Sequence, residues 1–267
     1  FANENCLILP GFFATAEAAR CHALCDRILD QWLAEQASRN PGRRQTNMAY
    51  LTEPRYFRDR PSDLVELLEL IADPRILETL AAAGIAAPVF HNTQYFHNPP
   101  GSDWNGPWHR DTQFLASDPA VERQRLAGFQ SLHFRIAFCD DARLQYVPES
   151  EQRWDTPEEE AIRQSATANA AADSVMPGAR TLALRTGDAA LFHAWGIHRG
   201  QYGSAPPRRT FDAIYTWGGV TDWGIAAPTC FAVPAAREAL LNALTPEAQA
   251  FFRRFVAANL DRWAEAD

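Results

Sequence analysis

The spacing of apolar residues changes partway along the chain. In the first third they recur every three or four positions, as on the buried face of an amphipathic helix. Thr15 is a candidate N-cap for the first helix, and Asp73-Pro74 is typical of a helix start. The pattern therefore predicts a helical region over residues 14–84, preceded by a short strand near residues 7–13.

After this helical region, short aromatic and β-branched runs alternate with turn residues, which is typical of strands. The predicted strands cover residues 89–96, 133–139, 144–147, 181–185, 189–195 and 210–217. An acidic helix is expected over 157–170, and a last helix begins at Thr245-Pro246 with a broad apolar face. Helices at both ends of a strand-rich middle predict an α+β protein, with helices backing an antiparallel sandwich or barrel.

Charge and composition narrow the class of partner. The 267 residues carry 33 acidic and 25 basic side chains, a net charge of −8. Binding to nucleic acid or to an anionic membrane requires concentrated cations, so neither is expected as a partner. All basic side chains are arginine, which excludes a Schiff-base lysine and a phosphate-binding P-loop lysine.

Cysteine usage and hydropathy give an expected compartment. The five cysteines have no metal-ribbon spacing, and no apolar stretch is long enough to cross a bilayer. No basic segment followed by an apolar one opens the chain, so a secretory signal is not expected. These features predict a reduced, cytoplasmic compartment. They leave the oligomeric state open.

The strongest local motif is His109-Arg110-Asp111. In an extended segment, residues two apart point to the same face, so His109 and Asp111 can direct an imidazole and a carboxylate at one ion. A second histidine from another strand would complete a face of two histidines and one carboxylate with vacant positions, as in non-haem Fe(II) oxygenases. The candidate is His198, which follows a predicted strand and precedes a glycine-containing loop. Alone, the triplet is more often part of a surface turn than a metal site.

Ten residues after His198, the segment Arg208-Arg209-Thr210 enters another predicted strand. A buried arginine at a strand start needs an anionic partner, and a guanidinium binds a carboxylate through two hydrogen bonds. Arg208 and Thr210 share a face, which favours Arg208 as the carboxylate-binding residue. Arg209 remains the alternative.

These motifs, in this order, resemble the phytanoyl-CoA dioxygenase family of iron(II)- and 2-oxoglutarate-dependent oxygenases. The segments that carry the resemblance are residues 96–102, 107–111, 147–150, 187–198 and 208–209. Asn98, Glu149 and Glu151 replace the lysine, glycine and histidine usual at these places.

The resemblance implies a double-stranded β-helix, which is a jelly-roll barrel like that of cupins. We expect one domain over residues 1–267, with its barrel at 88–217 and C-terminal helices at 234–265. It further implies that His109, Asp111 and His198 hold Fe(II). The co-substrates would be 2-oxoglutarate and O₂, and hydroxylation of a small-molecule C–H bond would release succinate and CO₂.

Further residues are candidates for the same site. Gln94 is expected to hydrogen-bond 2-oxoglutarate together with Arg208 or Arg209 and Thr210. His133 opens a predicted strand and fits either a place near the pocket or a structural one. The residues expected to line a substrate pocket are Trp108, Trp104, Phe114, Arg135 and His97.

Two other functions fit the same three ligands. One is a cupin-type metal-dependent hydrolase or isomerase, which has no need of an arginine aligned with the pocket. The other is a jelly-roll binding protein without catalysis, in which the metal is structural.

Overall fold

The computed structural model describes residues 6–39, 45–98, 104–114, 118–126, 130–165, 174–203, 207–218 and 225–264. The chain divides into two compact units. The first unit comprises Phe1–Ala18 and Phe96–Thr210, and the second comprises Ala19–Tyr95 and Phe211–Asp267.

The helices of the described residues are α1 (Thr15–Arg39), α2 (Pro61–Ile71), α3 (Pro74–Ala82), α4 (Pro119–Leu126), α5 (Pro157–Gln164), α6 (Pro234–Asn242) and α7 (Pro246–Ala264). The starts of α3 and α5 have side-chain caps. The Asp73 carboxylate accepts a hydrogen bond from the Arg75 backbone N–H at 2.8 Å, and α3 begins at the next residue, Pro74. Thr156 and Glu159 form a capping box at the start of α5.

The strands are β1 (Cys6–Leu9), β2 (Asn47–Ala49), β3 (Val89–His97), β4 (Trp104–Asn105), β5 (Ser131–Ala137), β6 (Asp141–Tyr146), β7 (Arg180–Leu184), β8 (Ala189–His193), β9 (His198–Tyr202) and β10 (Arg209–Thr216). The six strands predicted after the helical region are all present, as is the short first strand. The sequence did not predict β2, β4, β9 or α4. The first two are too short to show a period, and β9 begins directly after a four-residue turn that follows β8.

The first unit holds two antiparallel sheets packed face to face. One contains β1, β8 and β5 in that order, and the other has the order β4-β9-β6-β7. The core between them combines small and large side chains from both sheets: Ala137, Leu144, Tyr146, Leu182, Leu184, Ala190 and Phe192. This arrangement confirms the expected antiparallel jelly-roll architecture.

A tight loop follows β6. Glu149 adopts a left-handed backbone conformation with φ of 63°, a region that favours glycine. The hydroxyl of the next residue, Ser150, donates to the Val147 carbonyl at 2.6 Å and accepts from the Ile197 N–H at 2.7 Å. The loop therefore fixes the segment that leads directly into His198.

The second unit contains β10, β3 and β2, which are neighbours in that order, together with most of the helices. Its core is rich in aromatic contacts between β3 and α7. The Phe90 ring lies 5.9 Å from that of Phe252 and 5.2 Å from that of Phe255. The broad apolar face predicted for the last helix is thus buried.

Part of the acidic helix lies outside the described residues. The observed helix α5 ends at Gln164, and residues 166–173 are not described. The same holds for residues 99–102 of the first family-like segment. Among the helices that are described, none combines the length and the hydropathy that a membrane span requires.

Candidate metal centre

Backbone pairing brings together residues that are far apart in the sequence. His109 and His198 form an antiparallel bridge in which each N–H donates to the other's carbonyl at 2.9 Å. The Asp111 N–H then donates to the Ala194 carbonyl at 3.1 Å. Asp111 begins a 3₁₀ turn instead of continuing an extended segment, and His198 begins β9 instead of following a strand end. The convergence therefore comes from the bridge and the turn, and not from the strand alternation that the sequence suggested.

The three side chains form one cluster with the geometry of a metal site. One ligand atom from each of His109, Asp111 and His198 lies within 4.8 Å of the others. The Oδ1 atom of Asp111 is 3.6 Å from the His109 Nε2 and 3.7 Å from the His198 Nε2. Nitrogen and carboxylate oxygen from three residues match the facial set that leaves positions on Fe(II) vacant.

The hydrogen bonds of the two imidazoles assign their tautomers. The Nδ1 atom of His109 lies 2.8 Å from the Pro107 carbonyl, and that of His198 lies 2.9 Å from the Gly196 carbonyl. A carbonyl can only accept, so each Nδ1 carries the proton. In the neutral imidazole each Nε2 then carries the lone pair, which is the form that a metal ligand needs.

The protonation states of His198 and Asp111 favour the binding of a cation. Burial, with a smaller contribution from the neighbouring His109, lowers the pKa of His198 to about 3, so His198 is neutral at ordinary pH. Burial opposes ionisation of Asp111, but the hydrogen bond from His133 and the nearby imidazoles outweigh it. The pKa of the Asp111 carboxyl therefore lies well below its usual range. A neutral imidazole and an ionised carboxylate are the protonation states that bind a divalent ion.

A second feature of the first unit is the buried side chain of Arg208, which makes no hydrogen bond to the described residues. The side chain of Arg208 is 0% exposed, and none of its three nitrogens has a hydrogen-bond partner among the described residues. Its nearest carboxylate is that of Asp141, with 3.4 Å between Nε and Oδ2. The guanidinium carbon lies 5.0 Å from the Phe96 ring centre and 5.4 Å from that of Tyr202. A buried guanidinium in this state is fitted to receive an anion.

The neighbours of Arg208 differ in their environment. The hydroxyl of Thr210 is buried and, within the described part of the chain, also lacks a hydrogen-bond partner. Arg209 is only half-buried, and its Nη1 donates to the Arg208 carbonyl at 2.9 Å. Burial and missing partners thus distinguish Arg208 and Thr210 from Arg209. These are the polar atoms that a carboxylate of 2-oxoglutarate would satisfy.

The other predicted site residues fall in different places. Phe114 is 66% exposed, with its ring centre 5.1 Å from that of His109. Trp104 is partly exposed and stacks on Tyr202 at 4.8 Å. Trp108 is instead buried with Val147, Met176 and Ile197.

Three further candidates lie on strands. Arg135 is buried in β5, with its guanidinium carbon 4.6 Å from the Phe96 ring centre. His97 is buried at the end of β3. Gln94 is half-buried in the part of β3 that belongs to the second unit. Their roles stay predictions.

Sequence patterns did not predict the buried ionic network around Arg110. The guanidinium of Arg110 donates to the Asp155 carboxylate at 2.9 and 2.7 Å and to the backbone carbonyls of Ser150 and Trp195. The other oxygen of Asp155 accepts from Arg163 at 2.7 Å. This network holds the chain between the two ligands His109 and Asp111. Only the position of an arginine between them hinted at it.

A jelly-roll fold with two imidazoles and one carboxylate at a shared cluster defines a class of mononuclear metal proteins. The comparisons with known proteins place the chain within this class. The family model of phytanoyl-CoA dioxygenase (PhyH) matches residues 6–210. The chain therefore belongs to the phytanoyl-CoA dioxygenase family.

Solved structures with low sequence identity share the fold. The non-haem α-ketoglutarate-dependent carbocyclase SnoK from nogalamycin biosynthesis matches with a TM-score of 0.55 at 17% identity, over 80% of each chain. The epimerase SnoN in complex with Fe³⁺, α-ketoglutarate and nogalamycin RO gives 0.53 at 17% identity, over 84% of each chain. HygX from Streptomyces hygroscopicus, with nickel and 2-oxoglutarate bound, gives 0.52 at 14% identity, over 81% of this chain and 84% of its own. No curated protein sequence matches the chain.

Proposed function

We propose that this protein is an Fe(II)- and 2-oxoglutarate-dependent oxygenase that oxidises a C–H bond of a small molecule. His109, Asp111 and His198 would hold the iron. Arg208 and Thr210 would bind the carboxylate of 2-oxoglutarate that is remote from the metal. When bound, iron and 2-oxoglutarate together supply the activation of O₂, with release of succinate and CO₂.

The observation that carries this proposal is the state of Arg208. Burying a guanidinium without hydrogen bonds is unfavourable, and its contact with Asp141 at 3.4 Å is too long to offset the loss of water fully. A carboxylate that accepts two hydrogen bonds from Arg208 would correct this deficit. A cupin-type hydrolase or isomerase has no use for such a residue, so Arg208 favours the oxygenase.

The residues of the chain perform three tasks in this proposal. The imidazoles of His109 and His198 would bind the metal through Nε2, because each Nδ1 proton is donated to a backbone carbonyl. Asp111 supplies the negative charge that a divalent ion requires. Arg208 orients the co-substrate from a site that is closed to water, where its charge acts with little screening.

Separate observations bear on the substrate and on the outcome of the reaction. Phe114 lies exposed beside His109, which favours a substrate with an apolar or planar part near the metal. The neighbours named as a carbocyclase and an epimerase indicate that this fold also supports outcomes other than hydroxylation. We propose hydroxylation as the default outcome, with cyclisation, epimerisation or desaturation as alternatives that product analysis would distinguish.

Binding measurements test the proposal before a substrate is known. Protein stripped of metal is titrated with Fe(II) under anaerobic conditions, and the loaded protein is then titrated with 2-oxoglutarate in a calorimeter. We expect one metal ion and one 2-oxoglutarate per chain. A panel of small molecules is then screened for succinate that forms only when Fe(II), 2-oxoglutarate and O₂ are all present.

The matched control is His198→Ala, which removes a ligand and is expected to abolish both metal binding and succinate formation. Metal binding in the wild type with no measurable affinity for 2-oxoglutarate would overturn the oxygenase and favour the cupin-type alternative. Absence of metal binding in the wild type would overturn both.

A further inference from the structure

His133 contacts the carboxylate of Asp111 from the side away from the other two ligands. Its Nε2 atom lies 3.0 Å from Asp111 Oδ2, whereas His109 and His198 approach Oδ1. An ionised carboxylate can only accept, so the His133 Nε2 carries the proton and donates. The two oxygens of Asp111 thus have separate partners.

The ring of His133 is held in place by packing. His133 and Phe192 are direct partners in the pairing of β5 with β8. Their rings stack at 4.8 Å with an interplanar angle of 9°, and His133 is only 3% exposed. A buried ring stacked on an aromatic neighbour has little freedom to rotate, so the direction of its N–H is set before any metal arrives.

His133 is placed to act through Asp111 and not as a fourth ligand. It falls outside the cluster formed by His109, Asp111 and His198, and its ring centre is 6.5 Å from that of His198. Its closest polar contact to the cluster is the hydrogen bond to Oδ2.

We infer that His133 is a positioning residue that keeps Asp111 bound to the metal through Oδ1 alone. This role rests on the proposed metal centre. A carboxylate whose second oxygen is free can chelate a metal ion through both oxygens and occupy two positions. Because His133 holds Oδ2, Asp111 takes one position, and those that the keto acid and O₂ require stay vacant.

The test compares His133→Phe with His133→Gln. Phenylalanine can keep the stack on Phe192 but has no donor, whereas glutamine retains an N–H donor. Co(II) serves as the metal probe, because its visible absorption reports coordination number, and 2-oxoglutarate is titrated into the Co(II)-loaded protein. For His133→Phe we expect metal affinity to fall about 10–100-fold, a changed Co(II) spectrum, and weaker 2-oxoglutarate binding. His133→Gln should recover most of the affinity and the wild-type spectrum.

His193→Phe is the matched control. His193 is also a buried histidine on a strand, but it is not one of the three residues of the metal-ligand cluster. Its Co(II) affinity and spectrum should equal those of the wild type. Chemical unfolding of the metal-free variants verifies that each one folds. Wild-type Co(II) affinity and spectrum in a folded His133→Phe protein would overturn the inference and leave the proposed function intact. Failure of the wild type to bind Co(II) would instead overturn the proposed function itself.

Discussion

Replacing Arg208 with methionine is the sharpest test of the co-substrate site. Methionine has a similar length and no charge, so the variant removes the guanidinium and keeps much of the volume beside Phe96 and Tyr202. We expect the Arg208→Met protein to bind metal as the wild type does and to lose its affinity for 2-oxoglutarate.

The size of the loss follows from the hydrogen bonds that the carboxylate would make. Each hydrogen bond to a charged group contributes about 1.5–3 kcal/mol, and Arg208 can donate two of them to one carboxylate. Truncating one partner of a buried, hydrogen-bonded charge pair costs about 2–5 kcal/mol in binding. Taking about 3 kcal/mol, the dissociation constant of 2-oxoglutarate should rise by at least about 100-fold.

The control is Arg209→Met, because Arg209 is half-buried and already donates to a backbone carbonyl. Loss of this partly exposed charge should weaken the binding of 2-oxoglutarate by at most about 1 kcal/mol. Calorimetric titration of 2-oxoglutarate into Ni(II)-loaded protein measures both variants. If Arg209→Met loses binding and Arg208→Met retains it, the reasoning from burial is wrong and the neighbouring arginine is the anchor.

Two further predictions concern stability. Asp155→Asn leaves the buried guanidinium groups of Arg110 and Arg163 without their shared anion, and all three side chains are 0% exposed. Urea unfolding should show that the free energy of unfolding falls by about 3–5 kcal/mol. A loss below about 1 kcal/mol would contradict the network's role. Burial lowers the pKa of both His193 and His198 to about 3 in the folded protein. Between that value and an ordinary histidine pKa of about 6.5 the unfolded chain binds more protons. The metal-free protein should therefore lose up to about 1.4 kcal/mol per histidine for each pH unit below 6.5. Urea unfolding at pH 7 and pH 5 should show a smaller difference for His193→Phe than for the wild type, and equal differences would refute the assignment.

Much of the fold could be predicted from local patterns in the sequence. The helix starts at Thr15 and Pro74 depend on neighbouring residues in the chain, and so does the alternation that marks most strands. The short strand β9 escaped prediction because its five residues include the polar run His198–Gln201 and are paired by their backbone. A strand whose residues are selected for a site does not show the usual alternation.

The sequence by itself named His109, Asp111 and His198 as candidate metal ligands, because ligand chemistry depends on residue type and His109 and Asp111 lie two residues apart. It also named Arg208 and Arg209 as the two candidates for an anion-binding residue. Only the tertiary structure decided which arginine is buried without a hydrogen-bond partner among the described residues, and only it gave the Asp111 carboxylate a donor in His133. The physical reason is that burial and cross-strand contacts depend on which residues of two strands, distant in sequence, lie opposite each other. The alternation within one strand does not by itself encode that pairing.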